Sequence, residues 1–207
     1  MYKYFITSTG TEIGKTHYLC KLITELTSQK QSVKAIKPII TGLDFKQISS
    51  SDSALILKAL NQEINKENIL NISPFYFKSA DSPDSAANSE NKPYLNYQKI
   101  LTFCNSFLEN NNKDFALIEG IGGIMVPINH NKTILNLIKD LNIEIIVVIG
   151  NYLGARSHAL NLIEICKLHK IKIHKIILNN YPNNLDNALN IKKSINNFSK
   201  NTIEIIT

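Results

Sequence analysis

Short runs of β-branched and apolar residues recur along the chain between stretches whose apolar positions return every three or four residues. The runs are Tyr4 to Thr7, Val33 to Pro38, Phe115 to Ile118, Ile143 to Ile149, Lys175 to Leu178 and Thr202 to Ile206, and each reads as a strand. Within the fourth, Ile145-Ile146-Val147-Val148-Ile149 has no polar alternation, so a central strand buried on both faces is expected there. Tyr18, Leu19, Leu22, Ile23 and Leu26 mark the apolar face of a helix after the first run. Further helices fit Ser53 to Ala59, Tyr97 to Glu109, Ala159 to His169 and Leu185 to Asn197. Such alternation predicts an α/β fold, a mostly parallel central sheet with helices on both faces. The polar segment from Ser79 to Asn96 is broken by Ser82-Pro83 and Lys92-Pro93 and is expected to be a surface loop.

Length and composition narrow the picture. With 207 residues and 43% hydrophobic content, the chain fits a single domain over 1–207 with a sizeable core. It has no apolar run long enough to span a bilayer, and its first residues run straight into a strand with no signal-peptide profile, so a cytoplasmic location and no membrane partner are expected. Cys20, Cys104 and Cys166 are far apart and lack metal-ligand spacing, so they read as buried thiols. The net charge of +6 raises the question of nucleic acid, but Arg156 is the single arginine among 23 basic residues. Bidentate phosphate and guanine contacts favour arginine, and no nucleic-acid partner is expected.

Candidate chemistry starts at Ser8-Thr9-Gly10-Thr11-Glu12-Ile13-Gly14-Lys15-Thr16, between the first strand and its helix. A strand that feeds a helix through a Gly-containing turn aims backbone N–H groups and the positive end of the helix dipole at one spot, which suits a polyphosphate. Lys15 reaches the outer phosphates as a point charge, and the Thr16 hydroxyl is placed for the Mg²⁺ that bridges them. ATP or GTP is the expected ligand and the P-loop NTPases are the expected fold class. The pattern G-x-x-x-x-G-K-[ST] nevertheless fails, because position 9 is threonine.

In open α/β sheets ligands bind outside the carboxyl ends of the strands. Lys37-Pro38-Ile39-Ile40-Thr41-Gly42 brings a lysine and a hydroxyl to that rim, where Lys37 either faces an anionic centre or snorkels to solvent. Asp52 opens a helix, as its N-cap or as a metal ligand. Glu119 ends an apolar run ahead of Gly120, Gly122 and Gly123, and a carboxylate there needs a partner that Mg²⁺ would supply. Gly150 to His158 forms a second Gly-containing turn into a helix, with His158 read as a surface residue. Asn179 and Asn180 end the next strand, with amides able to read a purine edge.

Together these motifs resemble dethiobiotin synthetase, the ATP-dependent family that closes the ureido ring in biotin synthesis. Its loop T-G-T-D-T-x-V-G-K-T has five residues between its glycines, and Thr7 to Thr16 follow that longer form. Lys37 to Gly42 match its K-P-x-x-[ST]-G, Glu119 to Gly123 its E-G-x-G-G, and Leu153 to His158 its L-G-x-x-[NS]-H. The resemblance implies that Glu12, Ile13, Gly14, Lys15, Thr16 and His17 hold the ATP phosphates beside Gly120, Ile121 and Gly122. It puts Thr16, Asp52 and Glu119 around Mg²⁺ and makes Lys37 the principal active-site lysine, supported by Lys15, Thr11 and Thr41. The substrates it implies are ATP, CO2 and 7,8-diaminononanoate, joined through a carbamate and a carbamic-phosphoric anhydride. Gly154, Ala155, Arg156 and Ser157 would receive the substrate carboxylate from the partner subunit of a homodimer, and Asn179 and Asn180 would contact adenine.

The chain also departs from that pattern. Ser8 replaces the first loop glycine and Gly10 replaces an aspartate, which suggests loop flexibility moved two residues along; Asp84 replaces a histidine. A Pro-rich purine-contacting segment is missing after Asn180, so weak discrimination among ATP, GTP and CTP is expected. Two rival readings share the fold. A ParA-like nucleotide switch carries an extra early loop lysine, and none lies between Ser8 and Gly14; a cobyrinate-type amide synthetase adds a glutaminase domain for which 207 residues leave no room.

Overall fold

The computed structural model describes residues 2–109, 113–181, 183–199 and 203–206. The first half runs β1 (Tyr2–Ser8), α1 (Lys15–Ser28), β2 (Val33–Ile36), β3 (Ile39–Ile40), α2 (Asp52–Ala59), α3 (Lys66–Ile72), β4 (Phe75–Tyr76), α4 (Pro83–Ser89) and α5 (Tyr97–Glu109). The second runs β5 (Phe115–Gly123), β6 (Pro127–Asn129), β7 (Lys132–Thr133), α6 (Ile134–Leu141), β8 (Glu144–Gly150), α7 (Ala155–Leu168), β9 (Ile173–Asn179), α8 (Leu185–Phe198) and β10 (Ile203–Ile206).

A six-stranded sheet in the order β10-β9-β8-β1-β5-β2 is parallel at every pairing. The β8 run Ile145 to Ile149 is buried throughout, as its unbroken apolar sequence requires of a strand covered on both faces. β1 lies between β8 and β5, where the chain first leaves for one side of the sheet and later returns to build the other. That reversal of strand order opens a crevice beyond the carboxyl end of β1, the position where such sheets bind ligands. No helix among the described residues is long and apolar enough to cross a membrane.

Several sequence expectations need correction. The Val33 to Pro38 run stops at Ile36, because Pro38 cannot donate to a ladder; Ile39–Ile40 then pairs with Phe75–Tyr76 in a separate parallel pair. The supposed loop from Ser79 to Asn96 contains α4, since Pro83 occupies a first-turn position whose missing N–H costs nothing. The α7 helix begins at Ala155, four residues before the sequence pattern places it. The final strand was expected from Thr202, which lies outside the described residues. β5 continues through the glycines to Gly123, so Glu119 is internal to the strand rather than its last residue. Finally, α6 escaped the sequence reading although Ile134, Leu135, Leu137, Ile138 and Leu141 form its buried face.

Candidate active site

The loop from Thr9 to Gly14 leaves the end of β1 and turns into α1, whose first residue is Lys15. Gly14 makes that turn with φ of 95°, and a Cβ there would stand 2.3 Å from Asn179 Nδ2. A side chain is therefore excluded twice, by backbone conformation and by space. Asn179 closes the loop from the other side by donating to Ile13 O at 3.0 Å. Gly10, by contrast, has no positive φ, and a Cβ there would meet only Ile13 Cγ1 at 3.8 Å. Ser8 is strand backbone without a positive φ. The notion of flexibility shifted from Ser8 to Gly10 is therefore wrong: neither position uses glycine's freedom.

Around this loop lies a cavity of about 710 Å³. Its walls come from the loop and the start of α1 (Thr11, Glu12, Gly14, Lys15, Thr16, His17), from the exits of β2 (Lys37) and β3 (Thr41), from α2 (Asp52) and from β5 (Glu119, Ile121, Gly122). Ala80, Asp81 and Ser82 close the rim ahead of α4. Asp84 is turned into the first turn of α4, where it accepts from the Ser82 hydroxyl at 2.6 Å.

Charge is concentrated at the floor. Lys37 Nζ stands 2.6 Å from Glu119 Oε1 and 2.8 Å from Asp52 Oδ2, and the Thr16 hydroxyl donates to the same Glu119 oxygen at 2.7 Å. Lys37 is buried, so it does not snorkel. Burial alone would lower its pKa, but Glu119 and Asp52 outweigh that and raise it. For Asp52 burial pulls upward, yet Lys37 and Thr16 hold the carboxyl below its ordinary value. Asp52 is not the helix cap: Ser51 fills that role through its hydroxyl and Ala54 N, leaving the next residue free to face Lys37. Lys15, also buried, is pushed down to about 8 by desolvation and then by repulsion from Lys37.

Glu119 is fully buried, and its Oε2 has no hydrogen-bond partner among the described residues. An unpartnered buried carboxylate oxygen is costly and points to a cation or donor supplied from outside.

Not every residue singled out from sequence reaches this cavity. Ile13, Gly120, Asn179 and Asn180 do not line it. Gly120 supports the floor over the Phe5 ring, and Asn180 is almost wholly buried, bonded to Asn151, Asn183 and the backbone of Asn184. Gly154, Ala155, Arg156 and Ser157 start α7 next to the fully exposed Leu153 and do not line the cavity of their own chain. His158 pairs with Tyr152, Nδ1 to Oη 2.8 Å, and borders a second cleft of about 420 Å³ with Met125, Pro127 and Leu162. Asp81 and Ser82 line the rim although neither is among the residues singled out for the site; the sequence signal is a polar segment beside Ser82-Pro83, which reads as a surface loop.

The model of a family described as AAA domain matches residues 2–206. The ATP-dependent dethiobiotin synthetase BioD of Phenylobacterium zucineum is 34% identical over 178 residues, covering 86% of this chain and 76% of that protein. The protein of the same name from Endomicrobium trichonymphae is 35% identical over 205 residues, 95% of this chain and 90% of that one. Among solved structures, the MinC:MinD cell division protein complex of Aquifex aeolicus matches with a TM-score of 0.61 at 14% identity, covering all of this chain and 81% of that one. At that identity the likeness speaks for the fold alone.

Proposed function

The chain belongs to the ATP-dependent dethiobiotin synthetase family, and from that premise we propose how its own residues serve the ring closure. It is a ligase of biotin biosynthesis that spends ATP to form C–N bonds. The observation that carries the residue assignment is the meeting of buried Lys37 and Glu119 with the half-buried Asp52 and Thr16, beside Lys15 on the floor of the cavity.

The chemistry is demanding because it gathers negative charge. One amine of 7,8-diaminononanoate adds to CO2 and loses a proton, giving a carbamate. A carbamate oxygen attacks the γ-phosphorus of ATP and ADP leaves. The second amine then attacks the carbonyl carbon of the mixed anhydride, phosphate departs, and the ureido ring is closed. Two anions must therefore approach each other in the first half of the reaction, and preorganised cations lower that barrier. Lys15 holds the outer phosphates while backbone N–H groups of the loop and of the α1 N-terminus cradle them. Lys37, aimed from β2 across the floor, neutralises the carbamate, with the hydroxyls of Thr11 and Thr41 fixing its orientation.

Mg²⁺ fits the residues present. The donor set of Glu119, Asp52 and Thr16 is entirely oxygen, as a hard divalent cation prefers, and the unpartnered Glu119 Oε2 is a ready ligand. When bound there it would supply positive charge to offset the negative charge of the phosphates.

The family resemblance assigns the carboxylate end of the substrate to Gly154–Ser157 of a second copy, a reading compatible with their not lining the cavity of their own chain. A homodimer burying Leu153, which is fully exposed in the single chain, completes the site. A cytoplasmic location agrees with such chemistry. The assay that tests this reading is the formation of dethiobiotin and ADP from ATP, CO2 and 7,8-diaminononanoate by the purified protein.

A further inference from the structure

Ser8 ends β1, is fully buried, and stands where the loop pattern of the family carries glycine. Its Oγ lies 2.6 Å from Gly10 O and 3.1 Å from Gly122 O, and it accepts from Lys15 Nζ at 3.1 Å. The same ammonium donates to Gly10 O at 3.3 Å. A hydroxyl has one proton to give and lone pairs to receive, so Ser8 donates to a loop carbonyl while accepting from the lysine. Hydroxyl, carbonyl and ammonium thus close a small polar triangle inside the loop.

Lysine is a flexible four-carbon stem with a point charge at its tip, and nothing in the stem fixes where the charge stands. Here two of the three ammonium donors are engaged by Ser8 and Gly10, while Lys15 still lines the cavity. Glycine at position 8 would offer no side-chain acceptor. We infer that Ser8 is a positioning residue: its hydroxyl sets the place of the Lys15 ammonium before the outer phosphates of the nucleotide arrive. This rests on reading the cavity as the phosphate site. Preorganisation of that kind removes a cost from the step in which charge develops on the transferred phosphoryl group.

The test uses the full chain with Ser8→Ala and Ser8→Thr, measuring steady-state kinetics and, separately, calorimetric affinity for a non-hydrolysable ATP analogue. Ser8→Ala should lower kcat about tenfold, the size of one hydrogen bond to a charged group, and weaken the analogue several-fold while leaving KM for the diamine unchanged. Ser8→Thr keeps the hydroxyl and should return both quantities to within about threefold of wild type, a rescue that loss of packing alone would not give. Wild-type kcat and affinity in Ser8→Ala, or a Ser8→Thr variant no better than Ser8→Ala, overturns the inference. If wild type itself makes no dethiobiotin, the reaction assignment fails, and the analogue affinities alone decide Ser8: weakened in Ser8→Ala and restored in Ser8→Thr they uphold its role, unchanged they end it.

Discussion

Lys37 Nζ and Glu119 Oε1 are 2.6 Å apart, and the Glu119 side chain is wholly out of solvent. Each charge is made tolerable in the interior chiefly by the other, with Asp52 beside Lys37 and the Thr16 hydroxyl on Glu119, so the pair couples stability to function. Removing one partner of a buried pair costs about 3 kcal/mol, whereas removing both costs much less. Lys37→Met should therefore lower unfolding stability by about 3 kcal/mol, and Lys37→Met combined with Glu119→Gln should recover most of that loss in denaturant titrations. A double variant as unstable as the sum of the single ones would mean that the two side chains do not interact.

Lys37 lines the cavity beside Asp52 and Glu119 and is proposed to serve the reacting groups rather than the nucleotide base. Lys37→Ala should abolish turnover yet leave ATP affinity, read by calorimetry, within several-fold of wild type. Loss of ATP binding would reassign Lys37 to the nucleotide.

Glu119 Oε2 has no hydrogen-bond partner among the described residues and is proposed as a ligand of Mg²⁺. In wild type, Mg²⁺ should strengthen nucleotide binding markedly; in Glu119→Gln that gain should shrink by about tenfold or more, since a neutral amide is a poorer ligand for a hard cation. An undiminished Mg²⁺ effect in Glu119→Gln would place the metal elsewhere.

The loop glycines should separate cleanly. Gly14→Ala meets both a φ of 95° and a contact of 2.3 Å with Asn179, so it should cost about 1–3 kcal/mol and disturb the phosphate loop. Gly10→Ala, with open space and ordinary backbone, should stay within about 0.5 kcal/mol of wild type in thermal unfolding. Equal effects at the two positions would show that the loop turn is not fixed at Gly14.

Base selectivity should be weak. The Asn180 amide accepts from Asn151 and donates to Asn183, and that of Asn179 donates to Ile13 O, so part of the hydrogen-bonding capacity of each is already used inside the protein. ATP, GTP and CTP should support turnover within about tenfold of one another, less than one well-formed hydrogen-bond readout gives. A strong ATP preference in competition assays would contradict this.

Apart from Asp81 and Ser82, most of the polar residues that line the cavity were legible in sequence because each motif is local: a strand end and the few residues after it. The strand order and the meeting of Lys37 with Glu119 were not, since 82 residues separate the two and only sheet topology brings β2 beside β5. The α4 helix was hidden by its own composition, with Ala86 and Ala87 as its small apolar face and a proline that reads as a breaker until it is placed in the first turn. No such excuse covers α6, whose apolar spacing and Thr133/Asn136 capping box were both readable. The shift of the α2 cap from Asp52 to Ser51 is a single residue, yet it decides whether that carboxylate serves the helix or the cavity. Ser8 looked like a defect in a glycine loop; the bond to Lys15 that gives it a use depends on the folded position of the lysine tip.

The most direct measurement combines the purified protein with ATP, Mg²⁺, bicarbonate and 7,8-diaminononanoate, and quantifies ADP and dethiobiotin together. The site described here predicts ADP release that depends on the diamine and matches dethiobiotin one for one. ADP formation indifferent to the diamine, or none at all, would contradict the assignment of this cavity to ring closure.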